Sequence, residues 1–176
     1  MRRLVGILTI VAAAVLLLEV SPGSAAGGAS VPAGVPDDTL AIIVNQSNTI
    51  DDLSLKELRM VFLGERSHWP NGRRITLVMM DPGLSERKAV LRDVCHMSET
   101  EFSRHFLQGL FTGEVFVSPK TLSTSMGVRK FVFNVPGAIG YLRASDVDSS
   151  VKVIKVNGHR PEEADYPLRI EVRASK

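Results

Sequence analysis

Apolar runs rich in β-branched residues alternate along this chain with segments that carry helix-start signals. That alternation limits the fold more than any other feature. Leu40-Ala-Ile-Ile-Val44 is continuously apolar, as in a strand covered on both faces. Asn45 to Asp52 is polar and turn-like. Ser54-Leu-Lys-Glu57 is a capping box, in which serine and glutamate satisfy each other's backbone N–H groups. It predicts a helix from Leu55 with Leu55, Leu58, Val61 and Phe62 on one face and a stop at Gly64. Trp69 to Gly72 is a turn, and Ile75 to Met80 a second apolar strand. Ser85 is predicted to cap a helix over Glu86 to Met97, with Ala89, Val90, Val94 and Met97 inward. Ser98-Glu-Thr-Glu101 repeats the capping box and starts a helix to Gln108 that buries Phe102, Phe106 and Leu107. Leu110 to Leu122 has no period. Ser125 to Asn134 is helical, with Met126, Arg129 and Phe133 at helical intervals. Ala138–Leu142, Val151–Val156 and Leu168–Val172 are three further strands, the last alternating as an edge strand does. Strands interleaved with helices give an α/β sheet with helices on its faces.

Not all 176 residues belong to that sheet. Arg2 and Arg3 precede an apolar run from Leu4 to Leu18, and the small residues Ser24 and Ala26 follow. A basic start, an apolar core and a small-residue exit predict a signal peptide over residues 1–26. The run is short for a membrane anchor and ends at Glu19. Residues 27–38, rich in Gly, Pro, Ala and Ser, form a flexible leader, and residues 39–174 one domain. These features point to a bacterial periplasmic or secreted protein with no membrane span once the signal is removed. The chain carries 21 basic and 19 acidic residues. Setting aside Arg2, Arg3 and Glu19 leaves 19 and 18, a net charge of +1, which calls for no nucleic acid or strongly charged partner. Cys95 is the only cysteine, so no intrachain disulfide forms. It reads as a small buried residue on a helix.

Motifs for hydrolysis, nucleotide binding and redox chemistry are absent: there is no G-x-S-x-G, H-E-x-x-H, P-loop or C-x-x-C. His68, His96, His105 and His159 show no ligand spacing, so neither a metal nor another cofactor is expected. With no paired catalytic groups, the chain reads as non-catalytic. The stretch with most chemistry runs from Met79 to Arg92. A strand end, a tight turn and a helix start bring free N–H groups together, and Gly83, Ser85 and Arg87 are the residues that could meet an oxyanion there. The plain alternative is that Ser85 only caps the helix and Arg87 is solvated.

Four motifs in order resemble one family. Val61-Phe-Leu-Gly64 with Trp69-Pro-Asn-Gly72 is similar to the I-F-x-G-x-x-x-x-W-x-x-G signature of the substrate-binding proteins of phosphate ABC transporters. Asn45-Gln-Ser-Asn48 with Leu53-Ser-Leu-Lys-Glu-Leu58, Asn134-Val-Pro-Gly-Ala-Ile-Gly-Tyr141, and Asn157-Gly158, Pro161 and Tyr166-Pro-Leu168 resemble three further stretches of it. The resemblance implies a single lobe of a type 2 periplasmic-binding-protein-like fold, with a central mixed sheet flanked by helices. It also implies a non-catalytic solute-binding role, with phosphate or a similar oxyanion as ligand and an ABC permease or other envelope protein as partner. The alternative function is an envelope protein–protein interaction module that no longer binds a ligand. The family's phosphate turn reads R-x-x-x-S-G-T. Here Asp81 or Met80 takes the place of the arginine and the Ser-Gly-Thr triplet is missing, so the resemblance leaves Gly83, Ser85 and Arg87 to hold the anion, weakly. Trp69 is expected to pack over the end of the first helix, Gly137 and Gly140 to serve close packing, and Tyr141 to lie at the core edge.

Overall fold

The computed structural model describes residues 37–115 and 118–171. The expected signal peptide and most of the leader lie outside them. A six-stranded sheet runs in the order β2-β6-β1-β5-β3-β4. Its strands are β1 (Leu40–Asn45), β2 (Asp52–Leu53), β3 (Thr76–Met80), β4 (Lys120–Leu122), β5 (Ala138–Arg143) and β6 (Val151–Val156). β1 is antiparallel to both β5 and β6, whereas β5, β3 and β4 are parallel to one another. The sheet is mixed, and the carboxyl ends of β3, β4 and β5 share one edge with the amino end of β1: Leu40 pairs with Arg143, and Met80 with Leu122.

The described residues form four α-helices, α1 (Leu55–Phe62), α2 (Ser85–Val90), α3 (Glu99–Thr112) and α4 (Ser125–Asn134), of which α3 packs on the turn that follows α2. Successive residues of a strand face opposite ways. In β5, Gly140 faces Val128 of α4, and the next residue, Tyr141, has its ring 6.0 Å from that of Phe62 in α1. Helices therefore pack on both faces, and every residue of β1 is buried.

Both capping boxes form as the sequence requires, at Ser54 with Glu57 and at Ser98 with Glu101. The helix after the central turn differs. Its N-cap is Leu84, with no side-chain cap bond, and Ser85 is its first residue. After Val90 the chain widens into a π-helical turn, Leu91–Cys95, which ends two residues before the expected end at Met97, with His96 in the left-handed region as its cap. α3 runs on to Thr112, so the stretch from Leu110 is helical at first, and it later contains β4. In α4 the buried residues are Val128 and Val132, while Met126 and Phe133 are exposed. Gly140 leaves room for a branched side chain, so the β-branched pair one turn apart takes the inner face. Of the expected strand Leu168–Val172, Val172 lies outside the described residues, and the rest makes a single bridge, Thr39 to Arg169, beside the start of β1, where β6, paired with Ile42–Asn45 of that strand, does not reach. β2, only two residues long, was hidden in the polar stretch before Leu53.

Cys95 is fully buried, and its apolar surroundings push the thiol up to about 12, which makes it unreactive. Trp69 is buried, and its Nε1–H donates to the Gly137 carbonyl at 3.0 Å.

Candidate functional site

The turn from Met80 to Ser85 sits at the shared edge where the parallel strands end. Ligands of open α/β sheets collect at such carboxyl ends. Asp81 N–H donates to Leu122 O at 3.1 Å, which ties the turn to β4. Pro82-Gly83 then reverses the chain, with Gly83 at φ +95°, a value glycine adopts without strain. Met80 is fixed from two sides: its N–H donates to Tyr141 Oη at 3.0 Å, and its carbonyl accepts from Arg87 Nη1 at 2.8 Å.

The structure separates the three residues expected at the anion site. Gly83 and Ser85 line a surface depression of about 400 Å³ together with Asp37, Lys88, Ala89, Arg92, Arg143 and Glu171. Arg87 does not reach it. Its side chain is buried and points to α3, where Nε and Nη2 clamp both oxygens of Glu99 at 2.7 and 2.6 Å. Its guanidinium carbon lies 5.4 Å from the centre of the Phe102 ring. Arg87 therefore holds β3 to α3, and each of its three guanidinium nitrogens donates to Glu99 or to the Met80 carbonyl.

The guanidinium beside Ser85 belongs instead to Arg143, the last residue of β5. Nη2 donates to Ser85 Oγ at 3.0 Å, Nη1 to Asp37 O at 2.9 Å, and Nε to Glu86 Oε1 at 2.6 Å. Ser85 Oγ–H in turn donates to Glu86 Oε2 at 3.0 Å. Lys88, one turn further along, is exposed on the same wall. Arg92 borders the depression with its guanidinium on Asp93 and Glu171. Arg143 was missed because the sequence alone does not say that β5 lies parallel and next to β3. A basic residue closing an apolar strand was the available signal.

Burial pushes the Glu86 carboxyl up, but its own backbone N–H, Arg143 and Ser85 outweigh that and hold it below the usual glutamate range. A depressed carboxyl stabilises the fold above its unfolded-state value and loses that contribution as pH falls through the folded value. The stability difference between the native chain and Glu86→Gln is therefore expected to shrink as pH is lowered below about 4.5, the ordinary value. Thermal melts of both chains between neutral and acid pH measure it, and a constant difference would contradict it.

No family model matches the chain. It is 29% identical over 139 residues to the phosphate-binding protein PstS of Bacillus subtilis, an alignment that takes in 73% of this chain and 41% of that protein. The chain thus spans about two fifths of the length of this curated relative. Among solved structures it resembles an ABC-type phosphate transport receptor from Vibrio cholerae, with a TM-score of 0.57, 20% identity, and coverage of 70% of this chain and 48% of that one. It also resembles PstS from Borrelia burgdorferi, with a TM-score of 0.58, 14% identity, and coverage of 76% and 55%. Among the described residues no helix is long and apolar enough to cross a membrane. The chain is thus similar to phosphate substrate-binding proteins of ABC transporters, and it shares their fold over a single lobe of type 2 periplasmic-binding-protein-like architecture.

Proposed function

We propose that this chain is an exported, non-catalytic binding protein that takes phosphate or a similar oxyanion weakly. Its site is the depression at the carboxyl ends of β3 and β5, with a signal peptide over residues 1–26 and a place in the periplasm or outside the cell. The observation that carries the reading is the convergence of Ser85, Arg143 and Lys88 on one depression beside the Gly83 turn. A hydroxyl, a planar guanidinium and a mobile ammonium are the donors that tetrahedral oxyanions select. Arg143 supplies the charge that Met80 or Asp81 does not, and Arg87 supports the turn from behind. The relation to phosphate-binding proteins makes phosphate the first ligand to try, with an ABC permease as the corresponding partner. Binding is weak because Arg143 already has a carboxylate partner and one wall of an open depression leaves much of the anion in water.

Calorimetric titration of the full chain with inorganic phosphate at low ionic strength tests this, since salt screens exposed charges. Saturation is expected at about millimolar phosphate, equivalent to about 4 kcal/mol. Arg143→Ala should lower affinity by at least about tenfold, the value of one charge-assisted hydrogen bond. No heat at phosphate concentrations well above millimolar would overturn the reading.

A further inference from the structure

We propose that Glu86 is a tethered competitor for the oxyanion site: its carboxylate occupies the donors of Ser85 and Arg143 that an incoming anion needs. The inference rests on the anion-binding reading above and adds what controls it. Both oxygens of the carboxylate are engaged, Oε1 by Arg143 Nε at 2.6 Å and Oε2 by the Ser85 hydroxyl at 3.0 Å. Arg143 Nη2 closes the ring on Ser85 Oγ at 3.0 Å. A carboxylate held between a guanidinium and a hydroxyl uses the same donors as one edge of a phosphate. The Glu86 side chain is only 10% exposed, whereas that of Arg143 is 26% exposed and borders the open depression. The guanidinium therefore has one side on the internal carboxylate and another toward solvent.

The consequence is a site that is filled when no ligand is present. An internal carboxylate is always at hand, at an effective concentration no free monoanion reaches. Only an anion with more charge or more acceptors than a carboxylate displaces it, which favours hydrogenphosphate over chloride or acetate. Lys88, exposed on the same wall, adds attraction for the incoming anion without being consumed by the internal pair.

Removing the competitor should reveal the site. The full chain and its Glu86→Ala variant are titrated with inorganic phosphate, and separately with acetate, at low ionic strength. Glu86→Ala is expected to bind phosphate at least tenfold more tightly than the native chain. It should also gain thermal stability from acetate, which refills the vacated position, while the native chain gains none. Glu86→Gln keeps the shape and the Ser85 contact but not the charge, and should give a smaller gain in phosphate affinity; it decides the question if the alanine variant does not fold. Adding Arg143→Ala to Glu86→Ala should remove the gain. Unchanged or weaker phosphate affinity in the folded Glu86 variants overturns the competitor, even if the native chain binds phosphate as proposed. Tight binding in the variants beside none in the native chain supports it, and overturns only the claim that the native chain binds.

Discussion

Gly137→Ala is expected to cost about 3–5 kcal/mol, a large share of the roughly 5–15 kcal/mol that holds a domain of this size together. A Cβ built on Gly137 would lie 2.1 Å from the carbonyl oxygen of Arg74, closer than any real carbon contact. That oxygen is backbone and cannot rotate out of the way. The Gly137 carbonyl also accepts two hydrogen bonds, from Thr76 N–H and from Trp69 Nε1–H, both at 3.0 Å. Moving the strand start to relieve the clash breaks one or both and leaves the buried indole N–H unsatisfied. The loss therefore combines overpacking with an orphaned donor, and the melting temperature should fall by roughly 10 °C or more. Gly140→Ala is the comparison. Its Cβ would meet Val128 Cγ1 at 3.0 Å, a side-chain methyl that can shift, so about 1–2 kcal/mol is expected. Urea unfolding of both variants tests the order, and equal losses would mean that the Arg74 peptide moves as freely as a valine methyl.

These glycines belong to the stretch Pro136–Tyr141, which also carried part of the family resemblance. The packing explains why such a pattern is readable in one sequence. Small residues are required where backbone meets backbone, and helix starts need an oxygen at a fixed position. The three-residue spacing of Ser54 with Glu57 and of Ser98 with Glu101 fixes both helix starts because each bond is local. β1, β3 and β5 announce themselves as apolar runs because they lie inside the sheet and are covered on both faces, whereas β6, with Val153 exposed and Lys152 and Lys155 half-buried, shows only a partial alternation. β4 does not: Lys120 and Thr121 are exposed at the sheet edge, so no pattern marks them. Ser85 shows the limit of a local rule. It stands where a cap is expected, yet Leu84 takes the cap position and the serine hydroxyl turns to Arg143, 58 residues away. The site depends on which strand lies beside β3, and that is a long-range fact.

Arg87 and Glu99 provide the second large effect. Glu99→Ala is expected to destabilise the chain by about 2–4 kcal/mol, because it leaves a buried guanidinium with Met80 O as its one remaining hydrogen-bond partner. The Glu99 side chain is 39% exposed, so water relieves part of that cost and the upper end of the range for buried pairs is not reached. Arg87→Met should cost less than Glu99→Ala. It keeps most of the packing on Phe102 and leaves a carboxylate that water can solvate. The double variant should be more stable than Glu99→Ala alone, since removing both charges removes the uncompensated one. A double-mutant cycle in urea measures this coupling, and additive losses would show that the clamp is not a pair. Phosphate titration of folded Arg87→Met then separates the two roles open to this arginine. As a clamp behind the turn, it can be replaced with less than about a twofold change in phosphate affinity, worth about 0.4 kcal/mol. As a ligand, its loss would remove a charge-assisted contact and weaken binding tenfold or more. The clamp is the expected result, because three of its nitrogens are spent on Glu99 and Met80 and the guanidinium beside Ser85 is that of Arg143.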